Sequence, residues 1–139
     1  MAKTSPTQRA LKDLREQGYT VAIVEKYNAF AGPVVNGKRV GIRQDLFGFA
    51  DIISLGPGKR IVAIQSCGQN FAEHERTMLD SEATANVIEW LRAGGEAELW
   101  GWRKLKLARG GKAERWTPRA RAFTLADFGV GDRREQEQG

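Results

Sequence analysis

Cysteine and histidine are all but missing from this sequence. Cys67 and His74 are the only ones in 139 residues, which excludes an internal disulfide and any zinc centre built from clustered Cys and His. A lone thiol belongs most simply in a reducing compartment, so a cytoplasmic location is expected. Long apolar runs are missing too. No stretch approaches the roughly 20 residues a membrane-crossing helix needs, and the opening MAKTSPTQRALKDLREQ holds no apolar segment of the kind a secretory leader carries. A soluble protein with no membrane partner is the expectation.

What the chain does have is positive charge. Lys and Arg number 22 against 17 Asp and Glu, a formal charge of +5, and that balance favours polyanionic partners such as nucleic acid. The length suits one core and one domain over residues 1–128. Residues 129–139, ending GDRREQEQG, are charged and nearly without apolar side chains, so a disordered tail is expected.

Thr4-Ser5-Pro6 reads as a capped helix start, and the helix should run to Gln17-Gly18 with Ala10, Leu11 and Leu14 on its apolar face. The β-branched run 19–27 reads as a first strand with Glu25 near its end. Residues 28–40 hold Gly-Pro and Asn-Gly and read as a loop or small hairpin, with Lys38 and Arg39 at a basic tip that continues to Arg43. Segments 71–79 and 81–93 read as two helices, the second stopped by Gly94-Gly95. After them, 98–107 and 115–125 alternate around Gly110-Gly111 as a basic hairpin or ribbon that includes Arg103 and Lys104. Trp102 and Trp116, beside these cations, read either as core or as platforms for unpaired bases.

The centre of the sequence is GIRQDLFGFADIISLGPGKRIVAIQSCG, residues 41–68. Two short β-branched runs, 47–55 and 61–65, meet at a Gly-Pro-Gly turn and should form a hairpin. Each carries one polar residue in an apolar setting, Asp51 in the first and Gln65 in the second. A carboxylate placed there needs either an exposed strand end or a cation. Asp45 reads as a turn residue and His74 as an exposed helical side chain.

The element order, helix, three strands, helix, strand, implies an α/β fold with a mixed central sheet flanked by helices. With Asp51 in the second strand and Gln65 closing the third, it resembles the αβββαβ restriction-endonuclease-like core of the PD-(D/E)xK nuclease superfamily. The segments DLFGFADIISL, IVAIQSCG and WGWRKL are similar to small phage and bacterial proteins of the Holliday-junction-resolvase-like, or VRR-NUC-like, kind. The likeness spans residues 11–107, with a C-terminal β-ribbon added.

The resemblance implies a Mg²⁺-dependent DNA endonuclease, with Mn²⁺ as a substitute ion, acting on branched DNA as a homodimer in a bacterial or phage-infected cell. Carried over by position, it makes Asp51, Gln65 and the Ser66 carbonyl the metal ligands. Gln65 stands where an acidic residue is usual and Cys67 where the lysine is usual. A neutral thiol cannot stabilise charge developing on a phosphate. Glu25 could supply the missing carboxylate, its alternative being a solvated strand end. Arg76, or else Lys26 or Arg43, could supply the missing cation. Lys38, Arg39, Arg43, Arg103 and Lys104 would grip phosphates. The departure at Cys67 keeps a second reading open, a DNA- or protein-binding module that has lost cleavage.

Overall fold

The computed structural model describes residues 5–56, 58 and 61–130, apart from the side chain of Arg43. Helix α1 (Pro6–Glu16) leads into β1 (Thr20–Ile23). A projecting finger follows, built from β2 (Lys26–Asn28), β3 (Val34–Val35), β4 (Lys38–Arg39) and β5 (Ile42–Gln44). Then come β6 (Ile52–Leu55), β7 (Val62–Cys67), helices α2 (Phe71–Leu79) and α3 (Thr84–Arg92), and the long strands β8 (Glu96–Lys106) and β9 (Glu114–Phe123). A 3₁₀ turn, Leu125–Phe128, is the last described element. The expected tail lies almost wholly outside the described residues. No described helix is long and apolar enough to cross a membrane.

Five strands form one mixed sheet in the order β1-β6-β7-β8-β9. Only β7 and β8 run parallel, from Val62 opposite Glu96 to Cys67 opposite Gly101, and α2 and α3 make the crossover between them. All six residues of β7 are buried, as expected of a central strand covered on both faces. Alternation sorts its side chains. Val62 and Ile64 join Leu11, Leu14, Ile52, Trp100 and Trp102 beneath α1. Ala63 and Cys67 join Phe49, Phe71, Met78, Val87 and Leu99 beneath α2 and α3.

Local chemistry explains most of these elements. The Ser5 hydroxyl accepts the Gln8 N–H at 3.1 Å, and Pro6 occupies the first turn where its missing N–H costs nothing. Leu11 and Leu14, on consecutive turns, are almost fully buried, each contributing about 1.5–3 kcal/mol to docking. Asn36-Gly37 turns β3 into β4 with both residues at positive φ, 52° and 77°, the two-residue hairpin turn that Asn-Gly favours. Gly101 is glycine because Phe71 lies against the strand there; a Cβ would stand 2.5 Å from the Phe71 Cδ2.

Two expected strands are shorter than the sequence suggests. The run 19–27 divides: β1 pairs with β6 from Thr20 opposite Leu55 to Ile23 opposite Ile52, and β2 then pairs with β5 in a separate ladder. The run 47–55 is strand only from Ile52, because Phe47 and Gly48 take positive φ, 55° and 81°, and turn the chain back so that Leu46 bridges Ala50. A strand persists only where it has a partner. With β6 starting at Ile52, β1 has none beyond the Val24 N–H bond to the Asp51 carbonyl at 2.8 Å.

Candidate metal centre

These two interruptions create a site. Leaving the sheet after Ile23 puts Glu25 at one foot of the finger, and Asp45 follows β5 at the other. The finger ladder ends at Lys26 opposite Gln44, so the next pair outward from the tip is Glu25 facing Asp45. The five-residue turn 46–50 then folds back, held by the Leu46 N–H to the Ala50 carbonyl and the Gly48 N–H to the Asp45 carbonyl, and delivers Asp51 to the same place. One carboxylate oxygen from each of Glu25, Asp45 and Asp51 lies within 4.8 Å of the others.

The three acids line a cavity of about 400 Å³ together with Gln65, Ser66 and His74 and the first turn of α1, Ser5 to Gln8. Asp51 is 5 % exposed and Gln65 8 %. Asp51 Oδ2 accepts the Ser66 backbone N–H at 2.8 Å and the Ser66 hydroxyl at 3.1 Å. Since the Ser66 hydroxyl proton is committed to Asp51, Thr7 Oγ1, 2.6 Å away, must donate to Ser66 Oγ. This chain of hydroxyls ties α1 to the carboxylate. The positive end of the α1 dipole also faces the acids.

Electrostatically the site is short of positive charge. Burial pushes the Asp51 carboxyl up from 3.8 to about 7, and the neighbouring Asp45 adds to that, while the Ser66 N–H and hydroxyl pull the other way. No Lys or Arg is among the described residues lining the cavity. Gln65 Nε2 reaches Asp45 Oδ2 only at 3.4 Å, and its Oε1 is buried with no hydrogen-bond partner among the described residues. A half-turn of the amide would aim Oε1 at the Asp45 carboxylate, an arrangement that is favourable only around a cation.

The donor set suits a hard divalent cation: three carboxylate oxygens and an amide oxygen, with neither thiolate nor clustered imidazole. With these carboxylate oxygens already within 4.8 Å of one another, small side-chain movements would let them share one ion.

Of the residues singled out from sequence, Glu25, Asp51, Gln65 and Ser66 meet in this cavity. Arg76 is exposed on α2 and does not line it. Cys67 is 3 % exposed in the core beneath α2 and α3, its thiol pushed up to about 11 by burial and by the charge of Asp51. Lys38 and Arg39 are exposed on the finger, but Arg39 is spent on the finger's own backbone, with Nη1 donating to the carbonyls of Gly32 at 3.1 Å and Phe30 at 3.3 Å. Arg103 and Lys104 are exposed on the outer half of β8. The side chain of Arg43 lies outside the described atoms.

Two cavity residues escaped the sequence reading. Asp45 does hold a turn through its backbone, which hid the direction of its side chain. His74 faces the cavity only because of the way α2 docks, and nothing local signals that. Matched against protein-family models, curated proteins and solved structures, the chain finds no counterpart, and the functional reading rests on the geometry of the site.

Proposed function

We propose that this protein is a divalent-metal-dependent DNA endonuclease on a restriction-endonuclease-like core, acting on branched or otherwise non-standard DNA. The convergence of Glu25, Asp45 and Asp51 beside the unpartnered Gln65 Oε1 carries the reading. The same four side chains would hold Mg²⁺ or Mn²⁺. When bound, the ion would polarise a phosphoryl oxygen and make water a stronger nucleophile.

The chain's own residues supply the rest. Ser66, braced by Thr7, fixes the orientation of Asp51 by holding its Oδ2. The first turn of α1 offers a positive dipole end to a phosphate. His74, the one described residue of the cavity lining that can carry a positive charge, takes the place left by Cys67 and exchanges a proton with water or the leaving oxygen. Exposed Arg103, Lys104 and Lys38 contribute phosphate contacts. Cutting both strands of a junction symmetrically would need two copies about a two-fold axis.

Incubation of duplex, flap and four-way DNA with the protein in Mg²⁺ or Mn²⁺ tests this. Cleavage that disappears with EDTA and in Asp51→Ala is expected. Failure to cut any of the three, together with no calorimetric binding of either ion, would sink the proposal. Cys67 favours a second reading, a binding module without cleavage, because a buried neutral thiol gives the transition state no charge. DNA affinity retained without metal and without products would select it.

A further inference from the structure

The acidic cavity uses only the first turn of α1. The following turns, through Arg9 and Lys12, form one wall of a separate groove of about 440 Å³ whose other wall is the outer β8–β9 ribbon with Trp102, Arg115 and Trp116. We infer that this groove binds a single-stranded nucleic-acid segment, taking an unpaired base against the Trp116 indole and its flanking phosphates on the surrounding cations.

The chemistry of the walls carries the inference. The Arg9 guanidinium lies over the Trp116 ring at 4.2 Å from its centroid, and Lys104 Nζ lies 5.2 Å from the same centroid. Cations held against an aromatic face present together the two groups that single-strand sites combine, a π platform and phosphate partners. None of Arg9, Lys12, Lys104 or Arg115 forms an ion pair with a described residue. Their charge is therefore available, whereas Arg121 farther along β9 is committed to Glu75 at 2.9 Å and Asp127 at 3.0 Å.

The indole N–H of Trp102, a residue 5 % exposed, has no hydrogen-bond partner among the described residues. That nitrogen is itself covered, so Trp102 serves the groove as part of its apolar wall rather than as a donor to the strand. Asp13 and Glu16 also line the α1 wall. Their negative charge keeps phosphates toward the ribbon side and leaves acceptors for the amino groups of a base. This mixed lining disfavours duplex DNA, whose phosphates on both strands would meet the acids.

Binding in the groove stands independently of cleavage; its role in choosing a substrate with an unpaired strand rests on the nuclease reading. Because Gln8 and Arg9 are consecutive on α1, with Gln8 lining the cavity and Arg9 the groove, a strand held here would lead toward the carboxylates.

Fluorescence polarisation of a labelled oligothymidylate about 12 nucleotides long, measured in EDTA with full-length protein, separates the two ideas. Trp116→Ala is expected to weaken binding about tenfold or more, with Trp116→Tyr restoring most of it, and Arg115→Ala is expected to lower the salt dependence by about one phosphate contact. Wild-type affinity in a folded Trp116→Ala, or equal affinity of the wild type for the oligonucleotide and for duplex DNA, would overturn the inference. If Trp116→Ala fails to fold, Trp116→Tyr against Trp116→Leu replaces it, and equal affinities for that pair would overturn the inference just as well. Absence of DNA cleavage with intact oligonucleotide binding would instead count only against the nuclease.

Discussion

Asp51→Asn should make the metal-free protein more stable at pH 8. The wild-type carboxyl is raised from 3.8 to about 7 by burial and by Asp45. Between those values the folded state holds a proton that the unfolded state has lost. Stability therefore falls as pH rises through that window, and above pH 7 the full cost is incurred. A difference of about three pH units corresponds to ~4 kcal/mol at most. Asparagine removes the charge, and its amide oxygen can still accept the Ser66 N–H.

For a chain of this size a gain of roughly 2–4 kcal/mol appears as about 5–12 °C in Tm. Differential scanning fluorimetry in EDTA at pH 8 should show that rise, and at pH 4 the difference should vanish because the wild-type carboxyl is then neutral. Saturating Mg²⁺ or Mn²⁺ should narrow or close that gap at pH 8: an ion at about 100 times its Kd stabilises the wild type by ~2.7 kcal/mol, and the variant has lost a ligand. An Asp51→Asn protein less stable than wild type in EDTA at pH 8 would refute the account of a carboxylate held at a cost for a cation.

Asp45→Asn should lower the Asp51 pKa, since Asp45 raises it both by hydrogen bonding and by charge; carboxyl-carbon NMR titration reads this directly, and an unmoved or raised value contradicts the cluster. His74→Ala should cut metal-dependent cleavage about 100-fold while Arg76→Ala leaves it within about twofold, a contrast that separates the residue facing the cavity from one suggested by resemblance alone. Gly101→Ala should cost about 1–3 kcal/mol in urea unfolding, because the new methyl meets the Phe71 ring. Leu11→Ala, at the buried face of α1, should cost about 2–5 kcal/mol by the same measurement.

The parts of the fold readable from sequence are those written in local chemistry. Ser5-Pro6 starts α1, Asn36-Gly37 turns the finger tip, and Gly110-Gly111 lies in the described turn between β8 and β9. Alternation along β7 explains why Val62 and Ile64 go to one layer and Ala63 and Cys67 to the other. What could not be read is where partners run out. Tyr19 to Tyr27 holds enough β-branched and aromatic residues to read as one strand, yet the chain leaves the sheet after Ile23 because β6 begins only at Ile52. Asp45 and His74 illustrate the same limit at the site. One is a turn residue whose side chain has a second task, and the other is an ordinary helical position made special by a packing angle set elsewhere.

Since Glu25 and Asp45 are the two feet of one projecting β-finger, their two carboxylates are set by its base. The segment beyond Lys26 and Gln44, including the solvent-facing Phe30 and Val34, can therefore be shortened, lengthened or swapped for a different two-stranded loop with little effect on the carboxylates. A graft at the tip would then leave the acidic cluster where it is.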